Sequence, residues 1–455
     1  MIRQNISAEK TKITFSGRYD SKKNVIKILN EEKTNSSYCF SNFTSEEKLK
    51  RQAKKLAERR KKQRKIRWNQ DRFFKTHWLD MPSFVNEEIE PYAEFKISFP
   101  NIASHKAWLK LTGETNNSFT FAQDKDEERD PEKRRWFGPK STQNPRHPVY
   151  IVTKGRAQYG PLTAKVLQRL GIPFYLIVEP HEYNKYRTLC DWAKEVLVIG
   201  DSNHGMGPGR ARNACWDHAK NVLKAKRHWV LDDNIADFYR LNENKRIRVG
   251  DGTIFRAAED FVDRYTNVAV AGFAYKFFHV AKSKQYPFKL NTRIYSCLLI
   301  DNDCPYRWRG RYNEDTILSL DVLKDHKKHK THLELNAKND DGSFKTSRRE
   351  RLTTVEFVAF LQDKLNTQVQ KGGNTKEFYS SEGTAAKSMM LAETHPDVAK
   401  TEDMFGRAHH KADYTLFREN WLIRSEKRLK QLKSKGWKAS LGSNPYGMRL
   451  KVMPH

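Results

Sequence analysis

The chain has 455 residues and a formal charge of +30, from 85 Lys and Arg against 55 Asp and Glu. That length gives room for roughly two to three domains with a full core, and the abundance of aromatic residues excludes wholesale disorder. The basic excess points to a polyanionic partner, nucleic acid first. Five cysteines are scattered without a CxxC pair, so neither a zinc site nor a disulfide framework is expected. The start of the chain has no apolar core like that of a signal peptide, and no stretch approaches about 18 apolar residues, so neither secretion nor a membrane span is expected.

Residues 1–67 read as a polar segment followed by a basic helix. Thr44 with Glu47 three positions on is a capping box. The run "KLKRQAKKLAERRKKQRKIRW" follows, with Lys54, Lys55, Arg59, Arg60, Lys61 and Lys62 at its centre. A charge block this dense repels itself, so a phosphate-neutralising arm is the expectation and a solvated linker the alternative. Residues 68–146 read as a small α+β module. It would hold a strand over Glu94–Phe99, a helix over Ile102–Leu111 stopped by Gly113, and a proline-containing exit.

From residue 147 to 455 the pattern changes. "PVYIVT", "PFYLIVEP", "EVLVIG" and "HWVLDD" are short apolar runs, and helical candidates lie between them over 160–170, 183–192 and 209–223. This alternation predicts βαβ units, hence an α/β fold with a mostly parallel sheet covered on both faces. Ligands then bind beyond the carboxyl ends of the strands. Those ends carry Lys154, Gly155 and Arg156, then Glu179, then Gly200, and finally the adjacent Asp232 and Asp233. Two carboxylates at the end of a buried strand repel and lose hydration. A divalent metal, two Arg or Lys partners, or exposure at the strand tip would each compensate. "GMGPGRARNA" opens a helix with three glycines; it is neither a Walker loop nor a dinucleotide fingerprint.

The order of "GPGRARNACWDHAKNVLKAKRHWVLDDNI" is similar to a segment of GT-A-fold glycosyltransferases, where an "xARN" helix precedes a strand ending in a DxD-type acidic motif. "YIVTKGRAQYGPLTAKVLQRLGIPFYLIVEPHEYNKY", "RIYSCLLIDNDCPYRWRGRYNEDTILSLDVL", "GGNT" and "FGRAHHKADY" resemble one branch of these enzymes. That branch is the phage-encoded DNA glycosyltransferases, including those associated with TET-type pyrimidine hydroxylases, and the likeness runs over about residues 147 to 450.

The resemblance implies a GT-A domain and a UDP-sugar donor whose diphosphate is held through manganese or magnesium by Asp232 and Asp233. Either His409 or His410 would be a further metal ligand. Thr153, Lys154, Gly155, Arg156 and Glu179 would hold the nucleoside, unless Glu179 merely pairs with Arg156. Arg212 and Asn213 would sit near the donor, and Gly372, Gly373 and Asn374 would cradle phosphate or sugar. Glu314 and Asp315 occupy the "xED" position facing the acceptor hydroxyl, with Asp315 the expected base of an inverting transfer and Glu314 its substitute. A retaining transfer would need no such base. Arg309 and Arg311 would bind DNA or the leaving diphosphate. The implied reaction moves a sugar to the hydroxymethyl group of a modified pyrimidine in DNA, 5-hydroxymethylcytosine first. It would protect phage DNA from nucleases in the host cytoplasm. Competing readings are a transferase acting on a glycan, lipopolysaccharide or protein, a non-catalytic nucleic-acid binder, and a metal-dependent nuclease or nucleotidyltransferase.

Overall fold

A computed structural model describes the strands between residues 5 and 28, positions 103 and 106, and residues 70–87, 134–200, 206–281, 283–325, 351–365, 375–404, 406–434, 444 and 446–453. The chain divides into two compact units. Residues 1–69 and 91–126 form one. Its described strands make two antiparallel hairpins, β1 (Asn5–Ala8) with β2 (Thr11–Thr14) and β3 (Gly17–Asp20) with β4 (Val25–Ile28). The basic run over 48–67, the capping box and the strand expected over Glu94–Phe99 lie outside the described residues.

Residues 70–90 and 127–455 form the other unit. It opens with β5 (Arg134–Phe137), β6 (Val149–Val152), α1 (Leu162–Arg169), β7 (Tyr175–Val178), α2 (Tyr183–Leu189) and β8 (Glu195–Val198). Next come α3 (Gly209–Asp217), β9 (Arg227–Asp232), β10 (Ile235–Asn242), β11 (Lys245–Arg248) and α4 (Thr253–Val262). Then follow β12 (Val268–Tyr275), β13 (Phe288–Leu290), β14 (Cys297–Asp301), α5 (Glu314–Leu323) and β15 (Thr353–Lys364). The chain closes with α6 (Thr375–Thr394), β16 (Ala399–Met404), β17 (Arg407–Ala412), α7 (Glu426–Ser434) and β18 (Arg449–Val452).

Ten strands make the central sheet, in the order β11-β10-β15-β12-β14-β9-β6-β7-β8, with β13 added on β15. The block β9-β6-β7-β8 is parallel, as the apolar runs predict. The remainder is mixed: β12 pairs parallel with β15, whereas β14 runs antiparallel to both β9 and β12.

Alternation along the strands fills two cores. Val149, Ile151, Trp229 and Leu231 face one, beneath α1 and α4. Tyr150 and Val230 face the other, against Cys215 and Trp216 of α3 and Leu318 of α5. Both faces of the central strands are therefore dry, which is why β6, β7 and β9 read as continuous apolar runs.

Residues 70–90 and 127–146 belong to the sheet-bearing unit rather than to a separate module. Trp78, Met81 and Phe84 enter the first core. The Trp78 ring lies against Phe261, Phe288 and Phe360, and its indole N–H donates to the Pro82 carbonyl at 2.8 Å. Arg264 and Arg428 both donate to the Leu79 carbonyl, tying this segment to the turn after α4 and to α7. Likewise β5 pairs with β18 from the far end of the chain. Trp78→Ala should accordingly destabilise the sheet-bearing unit by about 3–5 kcal/mol, the usual cost of emptying a core tryptophan site. Urea unfolding followed by fluorescence of the remaining tryptophans measures it. A loss under 1 kcal/mol would mean that the 70–90 segment is an appendage.

Candidate active site

Chain direction changes beside β6. The chain runs outward from β6 through β7 to β8, then crosses back to β9 on the other side of β6. The crevice beyond β6 and β9 is thus a topological switch point, where doubly wound sheets take their ligands. Parallel β12 and β15 end at the same edge. The residues at or just past these ends are Thr153, Asp232, Asp233, Tyr275 and Lys364.

Asp232 and Asp233 are both present at this edge, and cationic partners compensate them. Asp232 accepts from Arg212 Nη2 at 2.7 Å, Lys364 Nζ at 2.6 Å and Ser296 Oγ at 2.7 Å. Asp233 accepts from Arg156 Nη1 at 2.5 Å and Thr153 Oγ1 at 2.8 Å. Burial pushes the Asp232 carboxyl up, but Lys364 and then Arg212 hold it well below the usual carboxylate range. For Asp233 burial prevails over Arg156 and Thr153, and its carboxyl is pushed up to about 6. The backbone of this turn is clamped by buried Thr163. Its hydroxyl donates to the Asp232 carbonyl at 2.5 Å and accepts from the Ile235 N–H at 2.9 Å.

Arg212 joins this pair to the second acidic motif. The guanidinium bonds Asp315 and lies 3.3 Å from Glu314, while its plane covers the Trp308 ring at 4.5 Å. Glu314 and Asp315 start α5 as the sequence predicts, where the helix N-terminus favours carboxylates. Burial raises the Asp315 carboxyl to about 7; the neighbouring Glu314 and Asp232 carboxylates add to this and Arg212 opposes it. Asn213 holds a neighbouring segment in place. Its side-chain amide bonds both the carbonyl (2.9 Å) and the N–H (3.2 Å) of Trp308, so it anchors the 307–311 segment. Gly207, at φ +78°, leaves room for the Arg311 carbonyl, which any Cβ would overlap.

The loop after β6 is fixed from α2 and the turn before it. Gly155, at φ +69°, donates its N–H to Glu182 at 2.9 Å. The Arg156 N–H donates to the Tyr186 hydroxyl at 3.1 Å, and that hydroxyl also bonds Thr153 Oγ1 at 2.9 Å. Glu179 pairs with Lys154 at 2.6 Å. It does not take the alternative partner, Arg156, which is committed to Asp233. Arg309 makes two bonds to Asp321, at 2.8 and 2.7 Å, and so supports α5 while half exposed. Arg311 covers the Tyr312 ring at 5.6 Å. Gly372, Gly373, Asn374 and the six basic residues between Lys54 and Lys62 lie outside the described residues.

Sequence reasoning missed Lys364, Ser296, Tyr275, Glu182 and Tyr186. Lys364, buried in "FLQDKLN", is the most consequential. The missed signal is a charged residue ending a long apolar strand, the same feature that drew attention to Asp232.

The hard carboxylate oxygens of Asp232 and Asp233 suit magnesium or manganese, which bind one or two carboxylates and complete their shell with phosphates and water. In the present arrangement every one of those oxygens faces an ammonium, a guanidinium or a hydroxyl. The pair therefore fits a cation that arrives with a diphosphate better than a pre-built cage. His409 and His410 lie on β17, in the two-stranded β16–β17 pair. His409 is exposed and faces Glu402 across the β16–β17 pair. Burial, then Lys387 and Arg293, lower the His410 imidazole to about 4. Among the described residues, no three His, Cys, Asp or Glu side chains converge on a metal-sized site.

Residues 147–342 match the family model of the TET-associated glycosyltransferases. This stretch is a TET-associated glycosyltransferase domain. It holds both acidic motifs, the "ARN" helix and the parallel block, while β15 with Lys364 lies beyond it. No curated protein matches the chain. Glycosyl transfer is therefore the class of reaction that the edge supports.

Lys364→Met keeps the stem and removes the charge. It should cost about 1.5–3 kcal/mol at pH 7, the range for a hydrogen bond to a charged group. Because Asp232 has a depressed carboxyl in the folded state, this stabilisation is present above its unfolded value near 4 and disappears as pH falls further. Urea titrations at pH 7 and pH 3 should thus show a variant deficit that shrinks in acid; an equal deficit at both would place the loss in packing.

Proposed function

We propose that the protein transfers a sugar from a UDP-sugar to the hydroxymethyl group of a modified pyrimidine in DNA, with 5-hydroxymethylcytosine the first acceptor to test. The observation that carries this reading is the gathering of Asp232, Asp233, Glu314 and Asp315 by Arg212, Arg156 and Lys364 at the switch point, with both acidic motifs inside the family-matched segment. The TET association of the family supports a hydroxymethylated base, and the charge of +30 supports a nucleic-acid acceptor. The basic stretch around Lys54–Lys62 would add phosphate contacts that carry no sequence information. On the likeness to phage enzymes, the host cytoplasm is the proposed place of action.

The acceptor hydroxyl oxygen attacks the anomeric carbon, and the bond from that carbon to the diphosphate breaks. UDP leaves with the bonding pair, and the hydroxyl proton passes to Asp315. This is an inverting displacement. Asp232 and Asp233 would hold a divalent cation brought with the donor, which supplies positive charge to the diphosphate when bound. Lys154 and Glu179 border the nucleoside side of the crevice, and Lys364 keeps Asp232 ionised and in place.

Mass spectrometry of nucleosides, after hydroxymethylated DNA is incubated with a panel of UDP-sugars, tests the reading as a whole. No glycosylated nucleoside from any donor would refute it. Asp315→Asn should cut turnover by at least about a hundredfold, within the usual range for a general base, with UDP affinity by calorimetry nearly unchanged. The base must be ionised to accept a proton. Wild-type kcat/KM should therefore rise with pH through about 7 and level off above it, a limb that Asp315→Asn abolishes. If Glu314→Gln removes the limb instead, the base is Glu314.

Chelation and Asp233→Ala probe the donor side. Excess chelator should abolish transfer, manganese should restore it, and Asp233→Ala should show no such rescue. Full activity in chelator would leave Arg212 and Lys364 as the charges that meet the diphosphate.

A further inference from the structure

Tyr275 ends β12 with its hydroxyl 2.6 Å from Ser296 Oγ, which in turn bonds Asp232 and Lys364. The chain then leaves the carboxyl edge in a short loop, "KFFHVA". Phe277 is 87% exposed, Phe278 59% and Val280 60%. Two phenylalanines so close to a buried charged cluster cost hydration and gain nothing from the fold. Their rings meet edge to face at 5.5 Å, and Phe278 lies 5.8 Å from the Tyr275 ring, so an aromatic series leads outward from the site.

The base of this loop is held firmly. Lys276 bonds Asp363 at 2.8 Å, one residue before Lys364. Arg246 donates to the carbonyls of Lys276 and His279. Asn86 and Asn244 both donate to the Ala281 carbonyl, at 3.1 and 2.9 Å, and Asn86 also reaches the Ser283 carbonyl at 2.7 Å. A pinned base that projects bare aromatic rings is a preorganised probe, since the ordering cost is met before anything binds.

An acceptor hydroxymethyl group on a pyrimidine within a duplex must reach Asp315, which is buried. The base therefore has to leave the stack, at a cost of a few kcal/mol, and something must occupy the gap. Apolar side chains inserted at base steps do this in other DNA-binding proteins, and aromatic rings stack on any base. We infer that Phe277, backed by Phe278, is a wedge that enters the acceptor duplex beside the target and holds the pyrimidine out of the stack. This inference rests on the DNA-acceptor reading above. A second copy of the chain would be a weaker occupant, because two chains that each carry a net charge of +30 repel.

The test uses the full chain and a duplex carrying one 5-hydroxymethylcytosine with 2-aminopurine as its neighbour, in the presence of UDP. Wild type should raise 2-aminopurine fluorescence severalfold on binding. Phe277→Ala should leave it near the free-duplex level, and Phe277→Trp should retain the rise. The ratio of kcat/KM on duplex to that on the single strand should fall by about tenfold or more in Phe277→Ala, since single strands need no unstacking. Donor hydrolysis without DNA serves as the folding control. A full fluorescence rise and an unchanged ratio in Phe277→Ala would overturn the wedge. So would loss of a dimer by sedimentation with the ratio unchanged, which would assign the rings to a contact between copies. If wild type itself glycosylates no DNA from any UDP-sugar, the acceptor reading fails first.

Discussion

Arg212 lies buried among carboxylates from two separate elements, Asp232 at the end of β9 and Glu314 and Asp315 at the start of α5. Without it these acids would crowd one low-dielectric space, and protonation would be their cheapest relief. The guanidinium is well suited to the task because its planar fork addresses several oxygens at once and it cannot lose its proton. Burial of Arg212 itself opposes the charge, and the three carboxylates more than offset this. Each group is thus stable only in the company of the others. The crossing of α3 over the sheet and the placement of α5 are fixed by this charge set as well as by Trp216 and Leu318 in the core between them.

A rigid edge follows from that mutual dependence. The carboxylates are aimed by strand and helix termini, and each oxygen of Asp232 and Asp233 has a partner before any substrate arrives. Fixed dipoles and charges are worth more in such a site than in water, because nothing need reorganise as the reaction proceeds. The cost is a cluster that tolerates single removals poorly: deleting one partner leaves the other charge buried and alone. Asp315 and Asp232 show the consequence within one site. Lys364 and Arg212 keep Asp232 firmly ionised, whereas burial and two like neighbours lift Asp315 towards neutrality. Environments that drive two carboxylates apart in this way separate an electrostatic role from a proton-accepting one.

Much of this was legible in the sequence because local rules and the fold agree. The runs "VYIV", "YLIV" and "WVLD" sit in strands β6, β7 and β9, and the acidic pairs fall at the predicted strand end and helix start. What stayed hidden depends on long-range pairing. Lys364 reaches Asp232 from a strand 132 residues away, and no periodicity reveals that β15 enters the sheet between β10 and β12. The 70–90 segment was misjudged for the same reason: "WLDMPSF" is too short to show that Trp78 completes a core built from α4, β13 and β15. Glu179 illustrates a subtler limit. Arg156 and Lys154 are both within reach of it in sequence terms, and only the position of Asp233 decides which of them is already taken.

The sheet and its loops divide the work along lines that physical chemistry requires. Charged groups that must hold sub-ångström geometry are set at element termini, where backbone hydrogen bonding and core packing fix them. Groups that meet a large, shape-varying partner belong on projections that can be exposed without unsettling the core. The β12–β13 connection satisfies both demands at once: its base is bonded to Asp363, Arg246, Asn86 and Asn244, while its tip shows bare rings. An exposed aromatic pair on a loosely held loop would fold back onto the nearest apolar surface. Here the carbonyls that would have to move are already engaged from β11 and from the 70–90 segment. Integrating that segment into the catalytic unit therefore does more than fill the core: through Asn86 it also sets how the rim beside the active edge is presented.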